Sequence, residues 1–225
     1  MIDIEQQELV RTIYRPNRVD ARLLLAHGAG AGNKHEFMDE LSKLIAGHNI
    51  EVTSFNFPYM QIMYELDKRR PPNKFDKLVE HFHQELTNLQ ARSYSVPTYI
   101  GGKSMGGRVA SLLASQPLDG LDVSGLVVFG YPFIPPGKPE KLAERMAHFD
   151  NIKCESLILQ GDRDNFGGRE LLDSLNFPSQ IKVEWLESGD HSFKPLKASG
   201  LSHRHNMMVA ATQTVNFILG SKRGI

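Results

Sequence analysis

Six short runs with strand character, separated by stretches with helical spacing, constrain this chain more than any other feature. "RLLLAH" (22–27), "SGLVVFG" (124–130) and "ESLILQG" (155–161) are near-continuous apolar runs, the pattern of strands buried on both faces. "EVTSFNF" (51–57) alternates and stops at Pro58, while "TYIGG" (98–102) and "IKVEWL" (181–186) complete the set. Between them lie amphipathic stripes. Phe37, Met38, Leu41, Leu44 and Ile45 share one helical face before Gly47, and Phe75, Leu78, Val79, Phe82, Leu86 and Leu89 share another. Further helices are expected from Met105 to about Ser115, over "KPEKLAERMAHF" and "GRELLDSL", and at 206–219, whereas 59–74 reads as irregular. Strands alternating with helices of this length require right-handed βαβ crossovers. The expected fold class is α/β, a doubly wound, mostly parallel sheet with helices on both faces. With no repeat, low-complexity tract or linker in 225 residues, a single domain spanning 1–225 is expected.

Composition narrows the function classes. Basic and acidic residues balance at 26 each, which argues against coating nucleic acid or a polybasic membrane role. The single cysteine, Cys154, allows neither an intrachain disulfide nor a cysteine-based zinc site, and reads as a buried small hydrophobe. "MIDIEQQELV" lacks the basic start and apolar core of a leader, and no run reaches the length of a membrane span. A cytoplasmic location is expected.

In a doubly wound sheet, ligands bind beyond the carboxyl ends of the strands. Chemistry is therefore sought just after each run. "YIGGKSMGG" (99–107) places Ser104 within G-x-S-x-G, between a strand and a helix, where a strained turn exposes a nucleophilic hydroxyl. Gly102 tightens the turn; Gly106 and Gly107 let the helix approach the sheet. The spacing fits neither of the common phosphate-binding glycine loops. A serine needs a base. Of nine histidines, His191 follows the last strand, in "ESGDHSF". His35, His48, His81, His83 and His148 fall on or near helices and read as solvated or capping, and His203 and His205 read as surface residues, with lining of the site as the alternative. The base needs an orienting carboxylate. Asp164, three residues past Gly161, is the expected acid, with Asp162 the alternative; Asp190 adjoins His191 and is badly placed. "AHGAGAG" (26–32) supplies a glycine-rich loop for an oxyanion hole, with the N–H groups of Ala29 and Met105 as donors and Gly28 and Gly30 shaping it. His27 is expected to brace that loop. Lys103 reads as solvated and carries no catalytic role.

These residues, with "FNFPYM" (55–60), "RRPP" (69–72), "GYPFIPPGKPEKL" (130–142) and "QGDRDNFG" (160–167), resemble the α/β-hydrolase superfamily over about 22–219. Within it, they resemble the small dienelactone-hydrolase-like members and a group of compact hydrolases without a large lid. The resemblance implies Ser104 as nucleophile, Asp164 as acid and His191 as base. Dienelactone hydrolases proper use cysteine where this chain has Ser104, so their substrate is not implied.

Tyr59, Met60, Met63, Tyr64, Tyr131 and Phe133 follow strands and are candidates for an apolar acyl or alcohol pocket, or for a cover over the sheet edge. Lys68, Arg69 and Arg70 read as a solvated turn, with Arg69 or Arg70 as a candidate guide for an anionic substrate. Only 59–74 and 131–148 can cap the site, which favours small substrates. The expected activity is hydrolysis of a small ester or thioester, with a binding or scaffold protein, a peptidase or an acyltransferase as alternatives. The expected partner is a small-molecule ester-type substrate, with no nucleic acid, membrane, metal or organic cofactor required.

Overall fold

In a computed structural model that describes residues 1–7, 10–92 and 95–220, eight strands form one sheet. They are β1 (Ile2–Gln7), β2 (Arg11–Pro16), β3 (Ala21–Ala26), β4 (Ile50–Phe55), β5 (Thr98–Lys103), β6 (Gly125–Phe129), β7 (Ser156–Gly161) and β8 (Ile181–Leu186). Their order is β1-β2-β4-β3-β5-β6-β7-β8. The six strands from β4 to β8 in that order run parallel, and β1 and β2 form an antiparallel extension at one edge.

The helices are α1 (Glu36–Ala46), α2 (Pro58–Leu66), α3 (Phe75–Gln90), α4 (Met105–Ala114), α5 (Leu142–Met146), α6 (Arg169–Leu172) and α7 (His203–Gly220). The strand pleat sorts the core into two layers. Leu24 and Ala26 of β3 pack toward Leu78, Phe82 and Leu86 of α3 and Val109 and Leu113 of α4. Leu23 and Leu25, one residue out of phase, pack toward Leu41 and Ile45 of α1 and Met207 and Ala211 of α7. Burial on both faces explains why these strands read as unbroken apolar runs.

Three expectations need correction. The N-terminal hairpin was not expected: β1 is a polar edge strand, "IDIEQQ", whose four central residues are exposed, so no apolar pattern marks it. Segment 59–74 is irregular only in its second part. Pro58 occupies the first turn of α2, where its missing N–H costs nothing, and Tyr59 and Met60 are buried beneath it. The helix expected over "KPEKLAERMAHF" is broken into α5 and flanking 3₁₀ turns, Pro139–Lys141 and Phe149–Asn151.

From β3 the chain steps outward to β4, then returns to β5 on the other side of β3. The crevice at this reversal, beyond the carboxyl ends of β3 and β5, is where a doubly wound sheet binds ligands. Ala26 pairs with Gly102 there, so the loops starting at His27 and Ser104 leave the sheet side by side. Their closeness depends on Gly106: a methyl group at this position would lie 2.5 Å from the His27 carbonyl oxygen and 2.6 Å from that of Ala26. Gly106→Ala therefore forces backbone apart and is expected to cost about 1–3 kcal/mol, lowering Tm by several degrees in thermal unfolding. Gly30→Ala, which meets nothing within 4 Å, is expected to leave Tm nearly unchanged. Equal Tm values for the two variants would contradict this packing account.

Candidate active site

Ser104 joins β5 to α4 at φ 52° and ψ −115°, a conformation that costs an L-residue on the order of 1–3 kcal/mol. Its N–H donates to the Phe129 carbonyl (3.0 Å) and its carbonyl accepts from the Arg108 N–H (3.0 Å), so sheet and helix both grip the turn. The hydroxyl is left facing the loop after β8. There, Ser104 Oγ lies 2.8 Å from His191 Nε2, and His191 Nδ1 lies 2.7 Å from Asp164 Oδ2. The structure thus brings together the three side chains that sequence reasoning singled out, from three separate strand ends.

Asp164 is buried and fully engaged. Its Oδ2 also accepts from Gln160 Nε2 (2.9 Å), and Oδ1 accepts from the Phe166 N–H (2.8 Å). These bonds hold the carboxylate aimed at Nδ1, where it fixes the tautomer that leaves Nε2 as acceptor. Asp162, the alternative, instead accepts from the Ser188 N–H (2.9 Å) and so ties the turn that carries Asp164 to the loop that carries His191. Asp190 accepts from the N–H groups of Ser192 and Lys194 and shapes the His191 loop from within. Burial drives the His191 pKa below its ordinary value; the Asp164 hydrogen bond opposes this, and the positive charge of Lys103 adds to it.

The loop after β3 is organised by a fully buried histidine. His27 Nε2 accepts from the Phe57 N–H (3.1 Å), which puts the ring proton on Nδ1, 2.6 Å from the Gly28 carbonyl oxygen. Burial lowers its pKa to about 4, so the ring stays neutral in this bracing role. Tyr59 Oη donates to the Ala29 carbonyl oxygen (2.9 Å). In a trans peptide the N–H points opposite to the C=O. With the Gly28 carbonyl turned inward to His27, the Ala29 N–H is directed away from that ring. Met105 opens α4, so its N–H has no intrahelical acceptor.

A cavity of about 630 Å³ opens above these groups, bounded by Gly28, Ala29, Gly30, Ser104 and His191. Phe37 and Met38 of α1, Phe166, and the polar residues Lys103, Lys194 and His203 complete much of its wall. A second cleft, about 650 Å³, lies at the opposite strand ends beside Ser124 and Cys154 and holds none of this chemistry.

The expected substrate residues divide. Gly28, Ala29 and Gly30 border the cavity, but Tyr59, Met60, Tyr131, Arg69 and Arg70 do not. Tyr59, Met60 and Tyr131 are turned into the core. Tyr59 acts on the cavity only through the Ala29 carbonyl, and Tyr131 Oη donates to the Arg145 carbonyl oxygen (2.7 Å). Arg69 and Arg70 stand exposed in the stretch after α2. Sequence reasoning missed Gln160, Phe166 and Asn206. Gln160 is a lone polar side chain closing an apolar strand, a signal that was available. Phe166 stacks on His191 with ring centroids 4.2 Å apart. Asn206 Nδ2 donates to the Glu187 and Phe193 carbonyl oxygens (3.0 and 2.9 Å), pinning the His191 loop to α7. His148, expected to be solvated or capping, is largely enclosed, with Nε2 2.8 Å from Ser111 Oγ, and burial lowers its pKa to about 4.

Solved structures share this architecture at low identity. A serine hydrolase homologue from Coxiella burnetii aligns with TM-score 0.66 and 15% identity, over 97% of each chain. A dienelactone hydrolase from Anabaena variabilis aligns with TM-score 0.64 and 15% identity, over 98% of each. Est1E from Butyrivibrio proteoclasticus, solved with ferulic acid bound, aligns with TM-score 0.68 and 13% identity, over 99% of this chain and 96% of that one. No curated protein matches the sequence. Residues 19–219 match the family described as the alpha/beta hydrolase domain, and across that span this chain belongs to it.

Proposed function

We propose that this protein is a serine hydrolase that cleaves a small carboxylic ester or thioester through an acyl-enzyme at Ser104. The observation that carries the reading is the continuous hydrogen-bonded relay Ser104 Oγ–His191 Nε2 and His191 Nδ1–Asp164 Oδ2, opening on a cavity of ligand size. The structural neighbour described as a dienelactone hydrolase, named for a cyclic ester, supports an ester-type substrate, and Est1E holding ferulic acid supports a small carboxylic acid as its acyl part.

In this reading, Ser104 Oγ attacks the carbonyl carbon while His191 Nε2 takes the hydroxyl proton. Asp164 stabilises the resulting imidazolium without taking the proton itself. The N–H groups of Ala29 and Met105 receive the developing oxyanion. The tetrahedral intermediate collapses as His191 returns the proton to the leaving oxygen or sulfur. Water then repeats the sequence and frees the acid. The strained turn at Ser104 and the buried carboxylate are costs that this chemistry repays through preorganisation.

Wild-type protein is expected to react covalently with a fluorophosphonate probe. Ser104→Ala should abolish labelling, and His191→Ala should slow it by at least two orders of magnitude. Folded wild-type protein that never labels would support the binding or scaffold alternative; product analysis with ester, thioester, amide and acyl-acceptor substrates separates the remaining ones. Asp164→Asn is expected to lower kcat by roughly 10⁴-fold, whereas Asp162→Asn should stay within about tenfold of wild type. The reverse order would move the acid to Asp162. Only the neutral imidazole accepts the serine proton, and the His191 pKa is depressed. The acid limb of kcat/KM should therefore fall below pH 6.5, and a limb above that value would contradict the electrostatics of the site.

A further inference from the structure

Lys103 is not solvated. The side chain immediately before Ser104 is only 9% exposed and passes beneath the loop after β3, where a methyl group on Gly28 would sit 3.7 Å from its Cγ. Its ammonium donates to the His191 carbonyl oxygen. Nζ also stands 5.4 Å from the ring centroids of both Phe37 and Phe193. Gly130, at φ +66°, leaves the remaining side open: a methyl group there would meet Lys103 Nζ at 2.8 Å and His191 Cε1 at 3.5 Å. The ammonium and the carbon edge of the imidazole therefore share one enclosed space. Among the described residues, no carboxylate lies within ion-pair distance of Lys103. Enclosing a cation without a contacting anion is expensive, and here the space that accepts it borders the reacting groups.

We propose that Lys103 is a positioning residue: its ammonium ties the base loop to the nucleophile strand and, sharing an enclosed space with the imidazole, adds to burial in opposing a second proton on His191. This rests on the reading of His191 as the base.

The surrounding charges define the pH behaviour. From the loops after β7 and β8, Asp164 and Asp190 attract the ammonium, and the His191 imidazole faces it. The α1 side presents the uncharged ring of Phe37, with His35 and Glu36 at the cavity rim, while Lys194 and His203 border the same rim. Burial pushes the Lys103 pKa down to about 8, against the pull of Asp164 and Asp190. At neutral pH the cation is thus present and opposes a second proton on His191. As pH rises through about 8, the charge is withdrawn and its hold on the His191 carbonyl weakens.

The test combines nuclear magnetic resonance titration of the His191 ring with the pH profile of p-nitrophenyl acetate hydrolysis, for wild type and Lys103→Met. In Lys103→Met, the His191 midpoint and the acid limb of kcat/KM are expected to rise together by about half to one pH unit. In wild type, the His191 ring resonance should show a second inflection near pH 8, coincident with titration of the Lys103 side chain; this arm needs no variant and holds if Lys103→Met fails to fold. A purely structural lysine would change kcat and leave the midpoint in place, and that result overturns the proposal. So does a wild-type His191 that titrates in one step while Lys103 titrates as an ordinary lysine. Coupled titration without hydrolysis by wild type would overturn the hydrolase reading and leave the charge coupling standing. Hydrolysis dependent on Ser104 with uncoupled titration would do the opposite.

Discussion

The backbone of Ser104 is held where an L-amino acid does not rest, and the rest of the site depends on that hold. Relaxation to an ordinary conformation would swing the hydroxyl away from His191. What prevents it is contact between backbones. Gly102 faces Gly106 and Gly107 within the turn, while Gly106 abuts the carbonyls of Ala26 and His27. The sheet bond from the Ser104 N–H to Phe129 closes the arrangement. Strain of this kind survives only where the surroundings over-determine it. Here the surroundings are the two central strands and the helix packed on them.

A second layer of polar side chains converts that rigid turn into an aimed one. Gln160 and the Phe166 N–H orient Asp164, Asp162 stitches the turn after β7 to the loop after β8, and Asn206 anchors that loop to α7. His27 does the same for the loop after β3. Each is buried or half-buried and hydrogen-bonded, the condition under which a polar side chain in a core is tolerated. The positions of the proposed reacting groups are therefore properties of several elements at once.

Much of this was legible in the sequence, for a physical reason. Strand burial writes itself as apolar runs, and a parallel sheet places the loop after each run at one edge, so Ser104, Asp164 and His191 could be grouped without knowing any distance. The walls of the cavity were not legible. Phe37 and Met38 sit on the apolar stripe of α1 and read as core, yet they border the cavity; Tyr59 and Tyr131 come just after strands and read equally as pocket or as cover over the sheet edge, and they are buried. Periodicity says that a side chain faces inward and is silent on whether the interior there is filled or hollow. Lys103 failed for a related reason: charge predicts exposure unless the enclosing groups are known, and its enclosure by Phe37, Phe193 and Gly130 comes from three distant parts of the chain.

The contact at Gly106 also bears on how such a site can diversify. At Gly106 the chain leaving β3 and the first turn of α4 meet backbone to backbone, and a side chain introduced there would run into the carbonyls of Ala26 and His27. The wall formed by α1, the loop after β8 and the start of α7 is built from side chains: Phe37, Met38, Lys194 and His203. One wall is thus fixed hardware and the other is interchangeable. Relatives that keep the same chemistry while accepting different molecules would be expected to vary along the second wall and to remain alike along the first.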